Sequence, residues 1–296
     1  MDLNETQRHP KVTVVVSAYN HEKYILECLE GIGNQSFRDF EWIVVDDGSS
    51  DQTPQILKDN QKKYGYQLII QKNKGLSATL TMLYSQYAHG EYISGCASDD
   101  FWAPHKLELQ VKFMDEHPEY AFCYGEAYGV DENSQIIGIR NKDKNHQGYV
   151  FDKIITKRFH PPVNRMTRLS VFKEMGYYPK GIIAEDFYMD CKITHKYPIG
   201  YIPELLSYYR VSPIHKKRDP YTLLKSHEDT IQLYKNDSVF YEAISRHSMI
   251  SFVMLSPYKK YKKKSIQYLL KVRLKELSFP KLFGGIYNII FKWISI

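Results

Sequence analysis

Asp99 and Asp100 stand side by side at the end of a predicted strand, in Ala97-Ser98-Asp99-Asp100, and another adjacent pair, Asp46-Asp47, ends a strand about fifty residues earlier. Neighbouring carboxylates repel, so holding them together takes a cation or several hydrogen-bond donors. Hard divalent cations accept carboxylate oxygens and bind substrate phosphates at the same time. The two pairs therefore point to one shared site for Mg²⁺ or Mn²⁺ and a diphosphate. A third acidic pair, Glu185-Asp186, falls in the first turn of a predicted helix, where the helix dipole alone also favours acids.

The elements that must position these groups alternate between strand and helix. Lys11 to Ser17 is a continuous β-branched run, as a strand buried on both faces requires. Tyr24, Ile25, Cys28, Leu29 and Ile32 then recur at three and four residues until Gly33, which predicts a helix over His21 to Gly33. Trp42 to Val45, Leu68 to Ile70 and Tyr92 to Cys96 read as further strands. Ser50 to Pro54 starts one intervening helix, and Leu76 to Tyr87 forms the next. Repeated βαβ units imply an α/β fold with a mostly parallel sheet, whose ligands sit at the carboxyl ends of the strands. Asp46-Asp47 and Asp99-Asp100 fall there.

The second half is less regular. Tyr120 to Tyr124 predicts a strand, and Ile136 to Ile139 is expected to pair with Ala127 to Val130 across a turn at Asp131-Glu132-Asn133. Arg140 to Gly148 is a polar loop and a candidate lid. Helices are expected over Ala184 to Lys196, Tyr221 to Tyr234 and Val239 to Leu255.

At 296 residues, 43% hydrophobic and 25% charged, the chain reads as globular rather than disordered. Its four cysteines are widely spaced without a CxxC pair, which argues against a zinc site or a disulfide framework and suits a reducing cytosol. The polar start carries no apolar core of the signal-peptide kind, and no run of apolar residues is long enough to span a bilayer. Charge is uneven: residues 257–296 carry +9 and the remainder −3. In that tail, Lys259 to Lys264 form a dense basic block, and after Pro280 the residues Leu282, Phe283, Ile286, Ile289, Ile290, Trp293 and Ile294 recur at helical spacing. The expectation is an amphipathic segment lying on an anionic membrane surface. The alternatives are a terminal helix packed on protein or a homodimer contact; nucleic acid is not expected, because no nucleic-acid module accompanies the charge.

The run VTVVVSAYNHEKYILECLEGIGNQSFRDFEWIVVDDGSSDQT, followed by NKGLSATL and GEYISGCASDDFWAPHKL, resembles the inverting family 2 glycosyltransferases of GT-A fold. The resemblance covers roughly Val12 to Arg210 and is strongest before Leu107. It implies a GT-A domain over 11–212, followed by a helical extension over 213–256 and the tail over 257–296. It also implies that Ser17 and Tyr19 flank a nucleotide base and that Asp47 accepts a hydrogen bond from a uracil or thymine ring nitrogen. Asp100 is then the metal ligand, with Asp99 on the ribose or sharing a Mn²⁺ or Mg²⁺ ion. Asp186 is the general base, with Glu185 positioning the acceptor or the loop, and His160, Asn164 and Trp102 are candidate acceptor contacts.

Two departures from the family pattern stand out. Ala97 replaces a carboxylate that relatives often carry two residues before Asp99, and Ser212 stands where many have a metal-binding histidine, with His215 three residues on. The implied reaction moves one sugar from a UDP- or dTDP-sugar to a saccharide acceptor, lipid-linked and part of surface polysaccharide assembly, on the inner face of the plasma membrane. A sugar-phosphate nucleotidyltransferase would need a Gly-rich basic loop after the first strand, and SAYNHEKY is not one. A catalytically silent nucleotide-sugar-binding or scaffold subunit is opposed by the intact Asp47, Asp99, Asp100 and Asp186.

Overall fold

The computed structural model describes residues 9–140, 145–211, 219–277 and 279–292. Ser212, His215, Lys216 and Lys217 lie outside the described residues, as do 141–144 of the expected lid and Trp293 and Ile294 of the tail. In chain order the elements begin β1 (Val12–Ala18), α1 (Ile25–Gly33), β2 (Phe40–Asp46), α2 (Thr53–Tyr64), β3 (Gln67–Ile70) and α3 (Leu76–Met82). After a π-helical turn at Leu83–Tyr87 come β4 (Tyr92–Ala97), β5 (Phe101–Trp102), α4 (Lys106–Glu116), β6 (Phe122–Val130), β7 (Ile136–Ile139), α5 (Phe151–Ile155), β8 (Met166–Arg168) and α6 (Leu169–Met175). The chain continues through α7 (Glu185–Thr194), β9 (Gly200–Arg210), α8 (Pro220–Gln232), α9 (Phe240–Leu255), α10 (Lys262–Leu269) and α11 (Phe279–Phe291).

These elements group into two compact units, one of 1–149, 161–181 and 193–212 and another of 150–160, 182–192 and 213–296. The first unit holds the sheet, in the order β3-β2-β1-β4-β8-β6-β9-β5 with β7 on β6. Strands β3, β2, β1 and β4 are parallel, as the βαβ pattern requires. Val12, Val14 and Val16 of β1 join Ile25, Cys28, Leu29 and Ile32 of α1 in one core, so the period-two and period-3.6 stripes meet.

Strand β9 was not legible in the sequence, because Pro203 within it argues against a strand. The ladder with β6 accommodates it: Gly125 pairs with Ile202 and Glu126 with Leu205, so Pro203 and Glu204 fall in an irregularity where no backbone donor is needed.

The second unit is helical. Leu224, Met249, Phe252, Leu255 and Tyr268 form its core, and Leu282 and Ile289 of α11 pack against it. The described residues of 257–292 thus share a core with those of 219–256, and 150–160 and 182–192 group with them rather than with the sheet.

Beside this core lies a group of bases, with His247 buried and Lys157 and His227 half-buried. Lys157 Nζ is 3.2 Å from His247 Nδ1, and the His227 ring meets Phe187 edge-on. Burial holds His227 down to about 3, and burial with the nearby Lys157 holds His247 down to about 2. The unfolded chain therefore binds more protons than the folded one below the ordinary histidine range, and stability is lost as pH falls through about 6.5 towards 3. Thermal unfolding should show a falling melting temperature over that window, with a shallower decline in His247→Phe than in the parent protein.

Candidate active site

The parallel register brings the chemistry-bearing ends together. Ala18 pairs with Asp46 and Ser17 with Ala97, so the segments after β1, β2 and β4 emerge along one edge of the sheet. Tyr19 is exposed there and Ser17 is half-buried. Asn20 takes a left-handed backbone, which its short side chain tolerates, and its Oδ1 accepts the Ser50 amide at 2.8 Å. This contact ties the end of β1 to the turn after β2. His21, which sequence reasoning passed over, reaches Ser98 Oγ at 2.7 Å and joins the β1 end to the Asp99-Asp100 turn.

The two acids of the first pair have different surroundings. Asp46 Oδ2 accepts the amides of Gly48 and Ser49 at 3.2 Å each, so this carboxylate shapes the turn. Gly48 has φ +79°, and a Cβ there would lie 2.6 Å from the Asn73 backbone nitrogen, which reserves the position for glycine. Asp47 is buried and accepts Gln71 Nε2 at 2.8 Å, the Lys74 amide at 2.9 Å and the Gly75 amide at 3.0 Å. A carboxylate offers about four lone-pair sites, so these three donors leave room for one more.

Asp99 and Asp100 are buried in a turn that Arg210 holds from behind. The Arg210 amide donates to Asp100 Oδ1 at 2.8 Å, and Nε donates to the Asp99 carbonyl at 2.9 Å. Nη1 donates to the Asp131 carbonyl at 2.7 Å, Nη2 donates to Ser134 Oγ at 3.0 Å and pairs with Glu27, and the guanidinium lies 4.3 Å over the Tyr24 ring. The sequence offered Arg210 only as a landmark near the domain's end; nothing local signals that it is a buried hub.

Two of the candidate acceptor contacts are enclosed by their neighbours. Trp102 is 4% exposed, sits in the main core, and carries Lys106 Nζ 3.9 Å over its ring. Asn164 is 2% exposed: its Oδ1 accepts the Gly125 amide, and its Nδ2 donates to the Gly125 and Glu126 carbonyls and to Ser207 Oγ. Both are internal struts. His160, in the second unit, is exposed and lies 3.5 Å from the buried Asp190 carboxylate. Glu185 and Asp186 are half-buried in the first turn of α7, which follows Ala184, whose amide donates to Ser226 Oγ of α8 at 3.1 Å. The structure thus gathers Ser17, Tyr19, Asp47, Asp99 and Asp100 in the first unit, while Glu185, Asp186 and His160 belong to the second.

Among the described residues no three His, Cys, Asp or Glu side chains cluster as a ready-made metal cage. The donor set at Asp99-Asp100 is oxygen only, which suits Mg²⁺ or Mn²⁺ completing its shell with diphosphate oxygens and water. A cavity of about 380 Å³ opens instead around Phe40, Trp42 and Tyr64, at the start of β2 and away from the carboxylates.

The family described as Glycosyl transferase family 2 matches residues 13–176, more than half of the chain. The chain belongs to glycosyltransferase family 2.

This glycosyltransferase is 29% identical over 267 residues to the uncharacterized glycosyltransferase MJ1057 of Methanocaldococcus jannaschii, covering 84% of this chain and 90% of that one. Its fold is similar to that of S. aureus TarS 1-349 solved in complex with UDP-GlcNAc, with TM-score 0.68 and 23% identity over 95% of this chain and 80% of that one. It is also similar to the mannosyltransferase PcManGT of Pyrobaculum calidifontis solved with GDP-Man and Mn²⁺, with TM-score 0.54 and 17% identity over 96% of this chain and 88% of that one. The likeness confirms the expected GT-A architecture.

Arg210 gives the site its most direct stability test. Arg210→Met removes the cation paired with Glu27, which keeps only Ser134 Oγ at 2.8 Å, and leaves the Asp99 and Asp131 carbonyls without the guanidinium; breaking a buried charged contact costs about 3 kcal/mol. Urea unfolding of the variant should show a loss of that size, whereas Lys74→Ala, whose contact to Asp47 is through the backbone, should unfold like the parent.

Proposed function

We propose that this glycosyltransferase moves a sugar from a UDP- or dTDP-sugar to a saccharide acceptor with inversion, and that Mn²⁺ or Mg²⁺ is required. The observation that carries this reading is the placement of Asp47 and of the Asp99-Asp100 turn along one edge of the parallel sheet. Asp47, already fixed by Gln71 and two amides, is oriented to accept the ring N–H of uracil or thymine, with Ser17 and Tyr19 beside the base. Asp100 would hold the Mn²⁺ or Mg²⁺ ion that carries the diphosphate, with Asp99 on the ribose or sharing that ion. When bound, the ion neutralises the charge that develops on the departing diphosphate, so no general acid is needed.

Asp186 takes the proton of the acceptor hydroxyl as that oxygen attacks the anomeric carbon from the face opposite the diphosphate. The bond to the diphosphate oxygen breaks as the new glycosidic bond forms, and the configuration inverts. Glu185 positions the acceptor or the loop. A donor of the kind seen with TarS agrees with this reading, as does the Mn²⁺ seen with PcManGT. The basic segment 257–296 suits work at an anionic membrane surface, with a lipid-linked oligosaccharide of surface polysaccharide assembly as acceptor.

A thermal-shift panel of nucleotide sugars with and without Mn²⁺ tests the donor, because a ligand that binds only the folded state raises its stability. UDP- or dTDP-sugars should raise the melting temperature more with the ion than without it. Asp100→Ala should abolish both that ion-dependent rise and turnover while unfolding cooperatively; full activity of this variant in EDTA would refute the assignment.

Asp186→Asn should retain donor binding in the same assay and lose about 10²-fold or more in kcat, as expected when a general base is removed. A loss confined to donor affinity would make Asp186 a structural residue of α7.

A further inference from the structure

Helix α11 has two apolar stripes with different surroundings. Leu282, Gly285 and Ile289 turn towards the second unit's core, and Phe252 approaches Gly285 so closely that an added Cβ would lie 2.1 Å from its ring. Asn288 Nδ2 donates to Ser256 Oγ at 3.1 Å, and Lys262 Nζ donates to the Ile289 carbonyl. The other stripe is Phe283, Ile286, Tyr287, Ile290 and Phe291, repeating at three and four residues and 40–65% exposed. The sequence-based alternatives of packing on protein and facing a membrane therefore apply to different sides of one helix.

No helix among the described residues is long and apolar enough to cross a membrane. The 13 residues of α11 span about 20 Å, short of a hydrocarbon core of about 30 Å. Lys281 and Lys292 bracket the exposed stripe, and exposed Leu270 and Leu274 are interleaved with Lys271, Arg273 and Lys275. Apolar side chains with lysines at both ends suit the boundary between acyl chains and phosphates. Charge selects the occupant: a second copy would bring two segments of +9 together, whereas an anionic leaflet neutralises one.

We propose that the stripe Phe283, Ile286, Tyr287, Ile290 and Phe291 is the lipid-contacting surface of this chain, seated in the interface of an anionic bilayer while Gly285 keeps α11 on the protein. The inference rests on the membrane-surface reading above and is independent of the transfer chemistry.

The test compares the full-length chain with Ile286→Glu/Ile290→Glu. Each is sedimented with vesicles of phosphatidylcholine alone and with about one-third phosphatidylglycerol added. The parent should bind the anionic vesicles at low salt, and binding should weaken near 1 M salt, where the Debye length shrinks to about 3 Å. The double variant should bind about 10-fold more weakly or worse, with its UDP-induced thermal shift unchanged. Should the glutamates lower the melting temperature, Ile286→Ser/Ile290→Ser makes the same comparison without added charge.

A parent protein that ignores anionic vesicles at low salt overturns the membrane reading itself. Parent binding that both double variants retain overturns only the assignment to this stripe. A dimer in sedimentation velocity that either variant splits, without vesicle binding by the parent, makes a second copy the occupant and overturns both.

Discussion

The Arg210 guanidinium ties together segments that are far apart in sequence and that the candidate donor site needs in register. An arginine offers five donors in a rigid plane, and a fully buried one is tolerable only where oxygens are arranged to receive them. Here the Asp99 and Asp131 carbonyls, Ser134 and Glu27 receive them, while the backbone amide of the same residue fixes Asp100. Asp100 is 110 residues away in sequence, so this carboxylate is set only once β9 has paired with β6 and β5. The geometry of the acidic turn is thus a product of the complete sheet, not of its own tetrapeptide.

Neighbouring carboxylates in this fold are kept apart in role by what donates to them. Asp46 is turned into its own loop by two amides, whereas Asp47 is held by a side chain and two amides from the segment after β3. The glycine at 48 makes this divergence possible, since its left-handed backbone lets the chain reverse against Asn73 without a clash. Backbone donors are rigid, so the fold itself orients Asp47, and in the proposed donor site that lowers the ordering cost of binding.

Elements governed by local pattern were legible in the sequence. The β-branched run of β1, the stripe of α1 and the proline that opens α2 each satisfy a short-range rule, and their structures fall within a few residues of expectation. Elements that depend on distant partners were not. Strand β8 is three residues long and exists because β4 and β6 flank it, and β9 contains a proline that only an irregular ladder tolerates. Burial likewise decides between site and strut: Trp102 and Asn164 look like contacts in sequence, but the groups that enclose them come from β6, β9 and α4. The acidic motifs were legible as types and spacing, whereas the donors that orient them, Gln71 and Arg210, carry no local mark.

The contact between Gly285 and the Phe252 ring sets how α11 tolerates change in length as opposed to change in composition. Successive helical residues are turned by about 100°, so one residue deleted between α10 and the middle of α11 would bring the Ile286 side chain to the ring, whereas one inserted would bring Gly284. With glycine as the one residue that fits, such a deletion lifts the helix from its neighbour, while replacements along the far side leave the close approach intact. The segment is therefore rigid in register and permissive in outward chemistry, a combination that lets drift retune what the surface meets without loosening the helix from its base.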